Sequence, residues 1–167
     1  ADALDFVRRH ADWIGQRLGD TGPTAFRPGA RVPLRGVEHV IVHDDTPRGR
    51  IRATDVDGRA VLRVCGGEAH LARRLTDWFK REARRDFEER VAVHTAALGV
   101  RAGKISVRDQ TSRWGACSAR GALSFSWRLV LAPPDILDYV CAHEVAHLRE
   151  MNHGPRFWAH VRDICPH

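Results

Sequence analysis

The sequence has no apolar run long enough to cross a bilayer and no cysteine pair with the spacing of a metal or redox motif. Because a membrane span needs about 18 consecutive apolar residues, a helical span is excluded. No secretory signal is visible either. The cysteines lie far apart in the chain, so we expect free thiols in a reduced, cytoplasmic protein. They are Cys65, Cys117, Cys141 and Cys165.

Lysine is also nearly absent, since Lys80 and Lys104 are the only two and arginine supplies the rest of the basic charge. The formal net charge is +6 and the sequence pI is about 9.9. Such a balance permits a nucleic-acid partner. The arginines are interleaved with Asp and Glu along the chain, which is typical of a solvated surface. A separate DNA-binding motif is not visible, so nucleic-acid binding is kept as an alternative.

The hydrophobic periodicity predicts a single α+β domain over residues 1–167. His94 shares the apolar stripe of a long helix, and we expect a buried, hydrogen-bonded core histidine there. Because the chain opens without Met, we expect a trimmed N-terminus. The N-terminal part is expected to form a helix over Asp5–Leu18 and a loop to residue 31, followed within 32–64 by the strands Val37–Val42, Arg50–Thr54 and Ala60–Val64. A long helix is then expected over Glu68–Leu98, ended by Gly99. The C-terminal part is expected to form the strand Lys104–Arg108 and a hairpin of Ser112–Ser118 with Leu123–Leu131, all within 104–131, and then the helices Asp135–Arg149 and Pro155–Ile164 within 135–167.

His143, Glu144 and His147 form an H-E-x-x-H pattern on a predicted helix. Residues four apart on a helix lie on one face, about 6 Å from each other. Both imidazoles can therefore converge on one zinc ion, each with a bond of about 2.1 Å. Glu144 lies one step around the helix, where it can reach a water at the metal without ligating it. The pattern predicts a zinc metallohydrolase with two histidine ligands and Glu144 as the general base.

His153 is the expected third ligand, because a catalytic zinc site has three protein ligands and one open position. It lies six residues after His147. Its neighbours Asn152 and Gly154 tolerate left-handed backbone, so the chain can turn back toward the metal. Glu150 is the alternative third ligand, since it shares a helix face with the two histidines. Glu150 stands where the metzincin pattern has glycine, so the motif departs from that pattern.

Several separated segments resemble the YgjP-like metallopeptidases, and they occur in that family's order from about Val32 to the C-terminus. Trp78 in the long helix also fits the resemblance. Ala116 and Ser126 depart from it, because the family usually has Ser and Asn at these positions. The matching segments are Arg113–Ser118, Trp127–Pro133, Asp138–Val140 followed by the H-E-x-x-H helix, and Asn152–Gly154 before Phe157 and Trp158.

The resemblance implies a compact gluzincin-like domain, related to the SprT-like proteases. A small mixed or antiparallel sheet would pack on the long backing helix and on the zinc-binding helix. It further implies zinc at His143, His147 and His153, catalysis by Glu144, and a peptide or protein substrate. Because family members usually begin with further strands, the resemblance also implies strands N-terminal to Ala1.

Tyr139 is a candidate for stabilising the oxyanion of the reaction, since it lies one turn before His143. Its alternative role is packing with a hydrogen bond. Arg128 and Arg113 are secondary candidates for the same role. The aromatic residues around them are expected to pack in the core and not to form a substrate platform: Trp114, Trp127, Phe157 and Trp158.

An unpaired strand edge is expected near the zinc, in Ser112–Ser118 or Leu123–Trp127, where an extended peptide could add as a further strand. Two alternatives to a peptidase remain at this point. One is a zinc hydrolase of a non-peptide amide. The other is a DNA-associated protease or a metal-bound binding module.

Overall fold

The computed structural model describes residues 26–47, 49–110 and 113–166. The helix expected over Asp5–Leu18 lies outside these residues. The described elements are, in chain order, β1 Arg31–Leu34, β2 Val37–Asp44, β3 Arg52–Val56, β4 Arg59–Cys65, α1 Leu71–Leu98, β5 Ile105–Arg108, β6 Gly115–Cys117, β7 Leu123–Ser126, α2 Pro134–Ala146 and α3 Pro155–Ile164.

The strands form two small mixed sheets. The first has the order β1-β2-β4-β3, in which β2 and β4 run parallel and the two outer pairs are antiparallel. The second has the order β5-β7-β6, with β5 parallel and β6 antiparallel to the central β7. The α+β class with small sheets and a long helix is therefore confirmed.

Helix α1 backs both the second sheet and helix α2. Its apolar stripe is buried, and Phe87 stacks on Phe125 of β7 with 4.6 Å between ring centroids. Burial of one such side chain contributes about 1.5–3 kcal/mol. A 3-10 turn over Glu68–His70 precedes the helix, and Gly99 ends it with a φ of 64°. The predicted extent is thus confirmed apart from the first turn.

His94 of α1 joins this helix to α2. Its side chain is buried, and its Nε2 atom lies 2.8 Å from Oδ1 of Asp138, which is also buried. Because a carboxylate only accepts, the Nε2–H of His94 donates this bond. The prediction of a hydrogen-bonded core histidine is confirmed, and the bond holds α2 against α1 at a point just before the H-E-x-x-H motif.

The strand expected to run to Leu131 is wrong, because β7 ends at Ser126 and a 3-10 turn covers Trp127–Leu131. The apolar side chains of this turn are buried together and do not alternate with exposed ones. A short continuous apolar run does not distinguish a strand from a helix. The turn is held by the β1–β2 connection, in which the N–H groups of Arg35 and Gly36 donate to the carbonyls of Val130 and Leu131.

Helix α2 begins at Pro134, which is tolerated in a first turn, and ends at Ala146. The sequence predicted an end near Arg149. The chain continues beyond Ala146 in hydrogen-bonded turns, since the N–H groups of Arg149 and Glu150 both donate to the Ala146 carbonyl. His147 is therefore the C-cap residue, directly after the last residue of the helix. Among the described helices, none is both long and apolar enough for a bilayer, and the cysteines are free thiols.

Candidate metal centre

Three histidine side chains converge at the end of α2. Their ligand nitrogens all lie within 4.8 Å of one another, and Nε2 of His143 is 3.0 Å from Nε2 of His153. Two ligands at about 2.1 Å in a tetrahedral zinc site are roughly 3.4 Å apart. The observed spacing fits that geometry. His143, His147 and His153 are thus brought together as the motif and its offset predicted.

The electrostatics of the cluster suit a cation. Burial lowers the pKa of His143 to about 4, and the neighbouring His147 and His153 contribute to the same shift. Burial also lowers the pKa of His147. Both rings are therefore neutral at neutral pH, and a neutral imidazole is the form that ligates a metal.

The orientation of His147 is fixed by the main chain. Its Nδ1–H donates to the carbonyl oxygen of Glu150 at 3.1 Å. This bond selects the tautomer in which Nε2 carries the free lone pair. A ligating histidine usually holds its second nitrogen in this way.

The turn that carries His153 differs from the expected one. Gly154 has extended backbone with a φ of −79°, and Asn152 has no positive φ. The turn is closed instead by the N–H of Gly154, which donates to the Asn152 carbonyl at 2.7 Å. Left-handed backbone is therefore not needed to bring His153 back to the cluster.

Glu150 does not join the group of ligand atoms in the described part of the chain. Its carboxylate accepts from the N–H of Asn152 at 3.4 Å, and its carbonyl accepts from His147. Glu150 supports the turn after α2, and the alternative ligand assignment is not favoured.

Phe157 of α3 lies beneath the three imidazoles. Its ring centroid is 4.8 Å from that of His143, 4.5 Å from His147 and 4.6 Å from His153. Its side chain is completely buried. Phe157 thus packs as predicted, and it gives the cluster a rigid floor. Trp158 covers one side, with ring centroids 6.0 Å from His143 and 5.9 Å from His153.

Glu144 lies beside the cluster, on the next position of α2. Its side chain is buried, and this burial raises its pKa to about 7. The backbone N–H of Cys117 in β6 is directed toward the carboxylate and opposes the rise of the Glu144 pKa. Gly115 of the same strand approaches so closely that a Cβ atom there would lie 2.7 Å from Oε1 of Glu144.

These contacts of β6 were not expected from the sequence. The signal available was a glycine inside a predicted strand, which often marks a close approach of another group to the backbone. The group that it approaches cannot be read from the strand alone, because Glu144 is 29 residues further along the chain.

The secondary candidates lie at different distances from the cluster. Tyr139 is half-buried, and its ring centroid is 6.4 Å from that of His143. The Arg128 guanidinium pairs with Asp109 and lies over the Trp127 ring, 4.7 Å from its centroid. Arg113 is exposed. Of the three, Tyr139 is the one whose ring adjoins the histidine cluster.

The core placement expected for the aromatic residues is wrong for Trp114. Trp127 and Phe157 are buried, but 53% of Trp114 is exposed. Trp114 precedes β6, where alternate residues face opposite sides of the sheet. Its neighbour Gly115 faces α2, so the Trp114 side chain has no place in that interior.

Comparisons with known proteins identify one family. A family model described as YgjP-like, metallopeptidase domain, matches residues 1–167. Among solved structures, the crystal structure of the metallopeptidase zymogen of Pyrococcus abyssi abylysin is similar at 23% identity and a TM-score of 0.42, over 48% of this chain and 81% of that chain. A comparison with curated proteins finds no match.

Proposed function

The chain belongs to the YgjP-like metallopeptidase family, and we propose that it is a zinc-dependent peptidase whose metal is held by His143, His147 and His153. The observation that carries the proposal is the convergence of three imidazoles beside a buried carboxyl group on the same helix. Three histidines and one open position are one of the ligand sets found at catalytic zinc. Cysteine does not enter this set, because the described ligand cluster contains histidine alone.

Zinc in this position would lower the pKa of a coordinated water toward about 7 and polarise the scissile carbonyl. Glu144 is the proposed general base. Its carboxylate takes a proton from the attacking water and passes it to the leaving amine. A carboxyl group with a pKa of about 7 can both accept and release a proton near neutral pH. A bound cation would lower that value and keep the base ionised.

Tyr139 is the proposed additional donor to the oxyanion, because its ring lies on the His143 side of the cluster. The two arginines are less suited to that role. Arg128 is engaged by Asp109 and Trp127, and Arg113 precedes β6 on the exposed surface.

The free edge of β6 is the proposed binding site for the substrate backbone. Within the described residues β6 is one of the two outer strands of its sheet, and β5 is the other. The N–H of Ser126 donates to the Trp114 carbonyl and the N–H of Ser118 to the Ala122 carbonyl. In an antiparallel ladder hydrogen-bonded residues alternate, so Gly115 and Cys117 direct their backbone groups away from β7. This edge faces Glu144, toward which the Cys117 N–H is directed. The backbone groups of Gly115 and the carbonyl of Cys117 are left for main-chain recognition of an extended peptide.

The edge strand also separates the leading alternatives. A small non-peptide amide would not need a row of backbone groups beside the metal, whereas a peptide backbone pairs with it. Recognition through the main chain predicts tolerance of many substrate sequences.

A metal and activity assay tests the proposal. We expect about one zinc per chain by elemental analysis, and cleavage of unfolded casein that stops with a chelator and returns with zinc. The reaction should proceed without nucleic acid. Absence of a transition metal after gentle purification contradicts the metal site. One bound zinc with hydrolysis of small amides alone contradicts the peptide substrate, and cleavage only in the presence of DNA favours the DNA-associated alternative.

A further inference from the structure

We propose that Gly115 is a positioning residue for Glu144: because this position has no side chain, β6 can lie directly against the carboxyl group and hold its orientation. The inference rests on the proposed role of Glu144 as the base. Its principal test is structural and does not need activity.

The space between β6 and α2 excludes a side chain at residue 115. A Cβ atom there would lie 2.7 Å from both Cγ and Oε1 of Glu144 and 3.0 Å from its Cδ. Carbon atoms in favourable contact are about 3.5–4.0 Å apart. Since Cγ is involved, rotation of the terminal carboxyl group cannot relieve the contact. Glu144 would have to change its χ1 rotamer or β6 would have to move.

Backbone conformation does not explain the glycine. Gly115 is not among the described glycines with positive φ. It lies in a regular antiparallel pair opposite Phe125. A glycine inside a strand weakens that strand, because glycine loses more conformational freedom on folding than any other residue and has no side chain to pack. The close approach to Glu144 is the feature that requires it.

The same strand supplies a second constraint on the carboxyl group. The backbone N–H of Cys117 points to the free side of β6, where it favours the ionised form of the Glu144 carboxyl group. The strand thus acts on Glu144 both sterically, at Gly115, and electrostatically, at Cys117. Gly115 sets how near the strand can come, so both constraints depend on it.

A stability cycle tests the contact. Gly115→Ala is made in the parent and in Glu144→Ala, where the atoms that would clash are absent. In the parent we expect the unfolding midpoint to fall by about 2–12 °C, since overpacking costs about 1–3 kcal/mol and each kcal/mol lowers the midpoint of a domain of this size by about 2–4 °C. In Glu144→Ala the same change should leave the midpoint unchanged or raise it, because alanine reduces the entropy of the unfolded chain. Gly67→Ala is the matched control, since a Cβ atom there meets nothing within 4 Å.

An equal fall of the midpoint in both backgrounds, or no fall in either, overturns the proposal. If Gly115→Ala prevents folding of the parent, folding of the double variant supports it and failure of both contradicts it. These outcomes are independent of whether the protein cleaves peptides.

Kinetics then test the consequence for the base. Gly115→Ala should retain its zinc and lose at least about tenfold in kcat, since small displacements of reacting groups are costly. In Glu144→Gln, whose residual activity lacks the base, the Gly115→Ala change should have little further effect. An equal loss in both backgrounds means that Gly115 acts on something other than Glu144.

Discussion

The side chains of the metal centre owe their states to burial and to the backbone around them. The pKa of His143 is low because this side chain is half-buried among two other imidazoles, and His147 is oriented by a main-chain carbonyl. Glu144 differs from its neighbours, because burial shifts its pKa upward and not downward. Desolvation disfavours the charged form in each case, which is a cation for histidine and an anion for glutamate. The same burial thus keeps His143 and His147 neutral, as metal ligands must be, and makes the neighbouring Glu144 a weaker acid.

Glu144→Gln should separate catalysis from metal binding. The substitution keeps the volume and a hydrogen-bonding group but removes the basic oxygen. Zinc content should stay at about one per chain, while turnover of casein or a fluorogenic peptide should fall by about 10²–10⁴-fold. Glu150→Gln is the matched control, because its carboxylate lies outside the ligand group. Parent-like turnover of Glu144→Gln at equal zinc content would remove Glu144 from the mechanism.

His153→Ala and Glu150→Ala should differ strongly in zinc affinity. Loss of a ligand should weaken binding by more than about 100-fold, since outer-shell changes alone cost about 10–100-fold. Glu150→Ala keeps the carbonyl that binds His147, so its effect should be small. Competition with a chromogenic chelator measures both. The ligand assignment is reversed if Glu150→Ala loses zinc and His153→Ala retains it.

The positions of individual site residues could be predicted from the sequence where their spacing along the chain determines the geometry. Two histidines four apart on a helix must share a face, and the next histidine is only six residues away. Gly115 and Trp114 could not be placed in the same way. Their surroundings are set by the packing of β6 against α2, which joins segments distant in sequence.

Among the secondary-structure elements, periodic helices were predictable and short apolar segments were not. Helix α1 has an apolar stripe along most of its length, so its identity follows from period alone. The Trp127–Leu131 segment has the composition of a strand, but it folds as a 3-10 turn that buries nearly every side chain. Its conformation depends on partners in the β1–β2 turn, which local pattern does not contain.

The His94–Asp138 bond should stabilise the attachment of α2 to α1. His94→Ala removes the buried hydrogen bond from His94 to Asp138, whose carboxylate keeps Arg90 at 3.7 Å and Cys165 at 3.9 Å. We expect the free energy of unfolding to decrease by about 1.5–3 kcal/mol, the range for a hydrogen bond to a charged group. Urea denaturation measures the change. His70→Ala is the control, since His70 is exposed and surface changes stay within about 0.5 kcal/mol. Equal stability of the two variants would show that the bond contributes little.

The net charge of the whole molecule does not by itself define a nucleic-acid site. A cavity of about 620 Å³ lies between the segment that precedes β3 and helix α1, and it is lined by four arginines together with acidic and aromatic residues. Arg74 in this cavity donates to the carbonyl of Gly49, and Arg85 pairs with Glu82. Charges of both signs are thus mixed here, as they are along the sequence. Such a mixture is typical of a solvated surface with local ion pairs.

Zinc should stabilise the whole domain as well as supply its chemistry. The three proposed ligands lie on α2, at its end and in the turn before α3, so a bound ion would link segments that Phe157 and Trp158 also join. A ligand that binds only the folded state adds about 4 kcal/mol when its free concentration is about 1,000 times Kd. For a domain of this size each kcal/mol raises the midpoint by about 2–4 °C. Thermal unfolding of the parent should therefore shift down by roughly 8–16 °C when a chelator removes zinc at that saturation, and His147→Ala should unfold at one temperature with or without the chelator. A parent whose midpoint does not change on zinc removal, at a metal content shown to fall from one to zero, would mean that the ion does not join these segments.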